Sequence, residues 1–112
     1  MKYNNLEWSD ELLDNGRSHT QSEWNDILKG SRWRLPTVKE YESLEGCKNK
    51  KFMNALEIDM HKYWLLTSDV LISPFTGKER PVVLGLVDCS RFGIYANDGN
   101  GDRPARGVKE IQ

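Results

Sequence analysis

The fold of this chain is decided by the stretch Ser31-Arg32-Trp33-Arg34-Leu35-Pro36-Thr37-Val38-Lys39-Glu40. Trp33 and Leu35 flank Arg34, so in an extended segment the two apolar side chains share one face and Arg34 lies on the other. The proline that follows cannot continue a preceding helix and favours extended geometry in the residue before it. Thr37 and Glu40 then form a capping box, the usual start of a helix. The stretch therefore predicts a structural corner between an extended segment and a helix, and not an active site.

A second capping box lies upstream, in Thr20-Gln21-Ser22-Glu23. The helix that it starts places Trp24, Ile27 and Leu28 on one face, because residues three and four apart are neighbours on a helix. Gly30 stands where a left-handed C-cap belongs. This segment predicts a short helix with one buried side.

Besides the helices that these two boxes start, two more helical segments are predicted. Tyr41 and Leu44 give the helix after Thr37 its apolar contacts, and a glycine at position 46 ends it. Residues 50–56 predict a weaker helix with Phe52 and Leu56 on one face. Near the start of the chain, residues 9–16 predict a short helical segment with a serine as N-cap and Asn-Gly as its end.

After residue 61 the pattern changes from helix to strand and turn. Strands are predicted at residues 63–68, 82–87, 93–96 and 105–111. Turns or loops are predicted at residues 73–77 and 97–102. Helices that come first and strands that follow favour an α+β fold with a largely antiparallel sheet. With 112 residues and no linker or repeat, we expect one domain over residues 1–112.

Composition excludes several protein classes. The longest apolar runs have four or five residues, far short of the about 20 that cross a bilayer. The N-terminus does not lead into a secretory signal, so we expect a cytoplasmic or virion-associated protein. The formal net charge is −1 and the pI about 6.1, which argues against nucleic-acid binding, since domains that bind nucleic acid usually have a pI above about 9. The basic run at residues 48–51 is interpreted as a solvated surface.

The stretch from Trp33 to Glu40 resembles the W-R-L-P-T-x-x-E signature of a bacterial and phage domain family, the collagen-like adhesin C-terminal domain. That family is related to the C-type-lectin-like and sulfatase-modifying-factor folds. Two further blocks fit in order: residues 63–68 look like the family's Y-W-S-S-T strand, and residues 105–109 look like its closing V-R-x-V-R strand. The resemblance covers roughly residues 20–110.

The resemblance implies a C-type-lectin-like fold, with N-terminal helices followed by a small, mostly antiparallel twisted sheet with long loops. The residues that carry the signature, and to which it gives a structural role, are Trp33, Arg34, Leu35, Pro36, Thr37, Glu40, Tyr63, Trp64, Arg106 and Val108.

The chain departs from the family at three points. Gly107 stands where many relatives carry a disulfide cysteine, which agrees with a cytoplasmic or virion setting. Leu65 and Leu66 replace small polar residues, so we expect the outer face of this strand to be covered, with a homo-oligomer partner as one candidate. The sulfatase-modifying enzymes use two late cysteines, whereas Cys89 stands alone here, and with Cys47 it is interpreted as a reduced structural thiol.

Metal and catalytic motifs are weak in this sequence. Asp98, Asn100 and Asp102 alternate as in the first half of a calcium loop, but Arg103 takes the glycine position and Lys109 the place of the bidentate glutamate. A plain loop is therefore the favoured interpretation. The alternating Glu, Asp and His of residues 57–61 lack the second His or Cys of a metal set. We expect no metal, no cofactor and no catalysis.

In lectin-like folds the ligand usually meets late loops and the adjoining strand face. On this sequence that late-chain surface comprises Arg91, Phe92, Tyr95, Asn97, Asp98, Asn100, Asp102 and Arg103. Arg, Tyr and Phe are enriched at recognition surfaces. The alternative is that Phe92 and Tyr95 belong to the core of the sheet.

Three functions remain open at this point. The favoured one is a non-enzymatic recognition module that binds a protein or glycan partner through the late-chain surface. The second is a small intracellular phage-type inhibitor of a host or defence protein. A metal-dependent or cysteine oxidase-like enzyme is the remote third.

Overall fold

Three helices and two small antiparallel sheets form the computed structural model, which describes residues 1–88, 91–96 and 101–111, with the backbone alone at 86–88 and 91–96. The helices are α1 (Gln21–Leu28), α2 (Val38–Glu42) and α3 (Lys50–Lys62), and the strands are β1 (Lys2–Tyr3), β2 (Leu6–Trp8), β3 (Leu65–Ile72), β4 (Glu79–Asp88), β5 (Arg91–Ala96) and β6 (Val108–Glu110). The sheet orders are β1-β2-β6 and β3-β4-β5. The radius of gyration, 13.6 Å, is close to the about 13 Å of a compact domain of this length. The α+β class predicted from the sequence is confirmed.

The first sheet joins the two ends of the chain. Trp8 in β2 lies opposite Val108 in β6, and β1 and β2 form a hairpin across Asn4 and Asn5, whose φ angles are 52° and 63°. Two left-handed residues are typical of a tight hairpin turn. The prediction that the chain begins with helices is therefore wrong for residues 2–8, because these short strands depend on pairing with β6 about a hundred residues later.

The predicted helical segment at residues 9–16 is mostly absent. Only a 3-10 turn at Leu13–Gly16 forms, and its interior is not helical, since Asp14 has φ 51° and ψ 45°. Ser9 does not cap a helix: its backbone N–H donates to the Gly107 carbonyl (2.9 Å) and its Oγ accepts from the Gly107 N–H (2.9 Å). The hydroxyl that suits an N-cap is used instead to extend the pairing of the two chain ends.

Both capping boxes are present, at Thr20 and Thr37. Trp24, Tyr41 and Leu44 are fully buried as predicted. Ile27 is the exception: the sequence places it on the buried face of α1, but it is 47% exposed. The eight-residue α1 packs mainly through Trp24, so its apolar stripe is narrower than the helical spacing indicates.

The helix predicted at residues 50–56 continues to Lys62 as α3, and it buries Phe52, Leu56 and Met60. Tyr63 ends this helix, so the strand predicted from residue 63 starts two residues later, at Leu65. The alternating Glu, Asp and His of residues 57–61 therefore lie around a helix and not along one face of a strand. At the end of the chain, β6 occupies only three of the seven residues predicted as a strand.

The second sheet has a buried layer on each face of its first strands. Leu65 and Leu84 belong to one apolar cluster, with Trp8 and the α3 side chains. Leu66 and Val83 belong to another, with Trp24. Neighbouring strand residues point to opposite faces, so the two clusters lie on the two sides of this sheet. Leu65 and Leu66 are thus covered by the chain itself, and the expected oligomer partner is not needed at this point.

Candidate functional site

The signature residue Arg34 is the centre of a polar network that locks the corner. Its Nη1 and Nη2 donate to the two carboxylate oxygens of Glu40 (2.8 and 2.7 Å), and Nη2 also donates to Glu110 Oε1 (2.7 Å). Its backbone exchanges two hydrogen bonds of 2.9 Å with Val108. Forked arginine–carboxylate pairs combine strength with fixed geometry. Arg34 therefore ties the start of α2 to the closing strand β6.

This network shifts the pKa of its members. Burial alone would raise the pKa of Glu40, but hydrogen bonds from Arg34 and Thr37 outweigh it and hold that pKa below its ordinary value. Hydrogen bonding to Arg34 also lowers the pKa of the Glu110 carboxyl. The hydrogen bond to Glu40 raises the pKa of Arg34 further above its ordinary value. The side chains of Arg34, Glu40 and Glu110 are therefore charged at neutral pH and paired with one another. Their role is structural.

Trp33, beside this network, is half-buried and covers the closing block. The Lys109 Nζ lies 4.4 Å from the centre of its ring. A Cβ added at Gly107 would lie 2.9 Å from Leu13 Cδ1 and 3.2 Å from Trp33 Cε3. Glycine at position 107 is therefore a packing requirement of this chain, since a side chain there would displace its neighbours.

The signature residue Arg106 is buried, with a side chain only 3% exposed. Its Nε and Nη2 donate to Asp59 Oδ2 (3.1 and 2.5 Å), and its Nη1 donates to the Ser9 carbonyl (3.0 Å). Its guanidinium lies 5.4 Å from the ring centre of Phe52. Because the charge is neutralised by a partner on α3, this arginine fastens the helix to the closing block.

An open cleft of about 540 Å³ lies over this pair, between α3 and residues 10–16. Its charged lining residues are Asp10, Glu11, Lys51, Asp59 and Arg106. The acidic and basic groups are mixed, and the two at its base are already paired with each other. In the described part of the chain, no three His, Cys, Asp or Glu side chains are grouped as metal ligands would be.

The residues of the late-chain surface are only partly described. Arg91, Phe92 and Tyr95 lie in β5, an edge strand of the second sheet, where the backbone alone is described. Asn97, Asp98 and Asn100, and with them most of the candidate calcium loop, lie outside the described residues. Asp102 is exposed and Arg103 is half-buried.

The end of the late loop is fastened to the body at Arg103. Its carbonyl accepts a hydrogen bond from the buried Trp24 Nε1 (2.8 Å), and its backbone exchanges two bonds with His19 (3.0 and 3.1 Å). The ring of His19 packs edge-on against that of Trp24. The loop therefore returns to the core at a fixed point beside α1.

The clearest unpartnered surface is the projecting end of the β3–β4 hairpin, residues 70–81, here called the arm. The exposed apolar residues of the arm are Val70 (41%), Leu71 (48%), Ile72 (64%) and, at the turn, Phe75 (95%). Val70 and Ile72 share one face of the strand and Leu71 lies on the other, so both faces of the arm meet solvent. Scattered single apolar residues are normal on a surface, whereas a contiguous group marks an interaction site.

The base of the arm lies beside the last residue of β5. Val70 pairs with Pro81 at the base of the arm, and the next β4 residue, Val82, pairs with Ala96, the last residue of β5. The start of β5 lies at the opposite end of that strand, so of the late-chain residues in β5 only Tyr95 is close to the arm. The arm was not predicted from the sequence, although the uninterrupted Val70-Leu71-Ile72 before a Ser-Pro-Phe turn is a visible signal of it.

Comparison with known proteins gave no match: no protein-family model, no curated protein and no solved structure is significantly similar to this chain. Over the described residues, no helix combines the length and the apolar character needed to cross a membrane. The exposed surface of the described residues, above all the arm, is therefore the basis for a functional proposal.

Proposed function

We propose that this protein is a non-enzymatic recognition module that binds another protein with the arm and the adjoining late-chain surface. The observation that carries the proposal is Phe75, an aromatic side chain 95% exposed at the tip of the arm, with three exposed apolar residues behind it. Aromatic anchors at the centre of an interface contribute most of the binding energy in protein complexes.

Burial of the exposed apolar side chains of the arm by a partner would contribute favourable free energy. Full burial of a Val, Leu, Ile or Phe side chain contributes about 1.5–3 kcal/mol. Val70, Leu71 and Ile72 are each about half exposed and Phe75 almost wholly so. A partner that covered all four would gain about 4–8 kcal/mol before the cost of association. The cost of association is about 4–15 kcal/mol, so a stable complex also needs favourable contacts outside these four residues.

The proposal includes a C-type-lectin-like fold. The blocks that carry the resemblance contact one another. Arg34 of the first block pairs with Val108 of the last block. The backbone N–H of Leu66, in the middle block, donates to the carbonyl of Pro104, the residue directly before the last block. These contacts support a C-type-lectin-like fold, which uses such a scaffold to present loops. The expected cytoplasmic or virion-associated setting remains part of the proposal.

The arm favours a protein partner over a glycan. Sugars are bound by polar groups together with aromatic faces, whereas three adjacent aliphatic side chains suit an apolar protein surface. An inhibitor of a host or defence protein would use the same surface, but it would bind a single partner.

The test is quantitative affinity capture from a bacterial lysate with matched surface variants. We expect Phe75→Ser and Ile72→Ser to reduce recovery of a specific partner by about tenfold or more, the effect of losing roughly 1.4 kcal/mol. Ile58→Ser is the control, because Ile58 on α3 is 63% exposed and Ile72 on the arm is 64% exposed.

The outcomes separate the hypotheses. Equal recovery by wild type, Phe75→Ser and Ile58→Ser would contradict recognition through the arm. Recovery of one stoichiometric partner would favour the inhibitor hypothesis. Binding to a glycan array that both arm variants retain would indicate a glycan and not a protein as the partner.

A further inference from the structure

The outer edge of β3 is occupied by the chain itself up to residue 69. The backbone N–H groups of Leu66 and Ser68 donate to the carbonyls of two prolines from other segments (3.2 and 2.9 Å). The side-chain amide of Gln21 donates to the carbonyls of Thr67 and Asp69 (2.8 and 3.1 Å). No added strand can reach this part of the edge.

From Val70 to Ile72 the same edge is open. β3 is the outer strand of its sheet, and among the described residues no backbone hydrogen bond joins another segment to the outer edge of these three, which are 41–64% exposed. Natural edge strands are usually protected by a charge, a proline or a bulge, since exposed backbone groups pair with other strands. Residues 70–72 of this edge carry none of the three; the bulge in the β3–β4 pairing lies before Val70.

We propose that this open edge is the pairing surface for a second copy of the same chain. Two copies of β3 would run antiparallel about a two-fold axis at Leu71, and the two β3-β4-β5 sheets would join into one of six strands. The inference goes beyond the proposed function, because it concerns the backbone edge of β3 and an identical chain, whereas the proposed function concerns the side chains of the arm and a different protein.

A second copy fits this edge because the three residues are complementary to themselves. Antiparallel pairing about Leu71 sets Val70 opposite the other copy's Ile72 on one face, and the two Leu71 side chains opposite each other on the other. Cross-strand pairs of this kind stabilise a sheet. Residues 70–72 carry no charge, so the alignment brings no like charges together.

The nearest charges on the arm stay apart in this arrangement. Arg80 pairs with Leu71 in β4, so the two copies of Arg80 would be separated by three strand spacings, about 14 Å. The Debye length at physiological ionic strength is about 8 Å, so this repulsion is largely screened.

The length of the open edge fixes the register and limits the affinity. Pairing stops at Asp69, where Gln21 occupies the edge, and at Ser73, where the chain turns back toward β4. Only three residues of each copy can pair, so we expect a concentration-dependent dimer and not an obligate one.

The experiment is sedimentation equilibrium of the purified full chain from about 10 μM to 1 mM, with no added ligand. We expect dimerisation over this range, and a Kd at least about tenfold higher for Leu71→Lys, since a charge then faces its own copy across the two-fold axis. Ile58→Lys, at an exposed apolar residue of α3, should leave the Kd unchanged.

Amide hydrogen exchange locates the contact. Peptides that cover residues 70–72 should exchange more slowly at the high concentration than at the low one in wild type, and equally at both in Leu71→Lys. A monomer up to 1 mM, a dimer that Leu71→Lys does not weaken, or protection confined to other segments would overturn the proposal. Phe75→Ser leaves the edge intact, so a dimer that survives Phe75→Ser while partner capture is lost separates the two proposals.

Discussion

The buried pair of Arg106 and Asp59 gives the sharpest test of the packing described above. Asp59→Asn keeps the shape of the side chain but removes the negative charge that neutralises Arg106. The Arg106 side chain is 3% exposed and Asp59 17%, so little of the arginine is in contact with water after the change. Breaking a buried pair by removing one partner costs about 3–5 kcal/mol.

We expect Asp59→Asn to lower the free energy of unfolding by about 3 kcal/mol, the lower end of that range, because the new amide oxygen still accepts one hydrogen bond. For a domain of this size that corresponds to a fall of about 12 °C in Tm. Urea unfolding followed by tryptophan fluorescence measures the loss, with an unchanged slope as the sign that only stability has changed.

Two further variants control the experiment. Glu7→Gln removes an acid whose partner, Lys109, lies 3.8 Å away in a partly exposed pair, and should cost less than about 1 kcal/mol. Arg106→Met combined with Asp59→Asn should be more stable than the two single losses added together, since no unpaired charge is left. A loss for Asp59→Asn no larger than for Glu7→Gln would refute the burial argument.

Three other changes have defined outcomes. Glu40→Gln should lower stability by about 1 kcal/mol at pH 7 and by less at acidic pH, because the lowered pKa of Glu40 contributes stability that is lost as pH falls through that pKa; a difference in urea midpoint between variant and wild type that is the same at both pH values would contradict this. Ser9→Ala should cost about 1–3 kcal/mol by leaving the buried Gly107 N–H without its 2.9 Å partner, and a near-zero change in urea midpoint would mean that another group replaces it. Gly85→Ala should destabilise by about 1–3 kcal/mol, since its Cβ would lie 2.8 Å from the Trp64 ring; unchanged stability and an unchanged fluorescence maximum would contradict that contact.

The parts of the fold that were predicted correctly are those with local causes. The two capping boxes lie where the Thr-x-x-Glu spacing placed them, and Tyr41 and Leu44 are buried as the spacing of the helix requires. The turn at residues 73–77 follows from Ser-Pro-Phe-Thr-Gly, with Gly77 at φ +68°. Each of these features depends on residues within about four positions of one another.

The errors concern contacts between distant parts of the chain. Ser9 has the chemistry of an N-cap, but it bonds to Gly107, 98 residues away. Residues 2–8 form strands because β6 is available as a partner, which no local pattern shows. Ile27 has the spacing of a core residue, but α1 lies against the body mainly through Trp24, the one fully buried residue of that helix.

The candidate site shows the same division. The sequence directed attention to polar and aromatic residues late in the chain, where Arg, Phe, Tyr and Asn are concentrated. The arm was missed because Val70, Leu71 and Ile72 have the composition of a buried strand, as do Leu65 and Leu66 earlier in β3. Whether such a segment is core or surface depends on whether another element packs on it, and nothing in the described structure covers the arm.

By itself the sequence determined the class of this protein, its helix starts and the corner from Trp33 to Glu40, because capping, turn chemistry and side-chain periodicity act over a few residues. Only the tertiary structure decided that Arg34 bonds to Glu40 and Glu110, that Arg106 is buried against Asp59, and that the chain's two ends pair. It also decided that β3 is buried in its first half and open in its second. Burial depends on which distant segments meet, and that is fixed by the sum of all packing contacts and not by any short stretch of sequence.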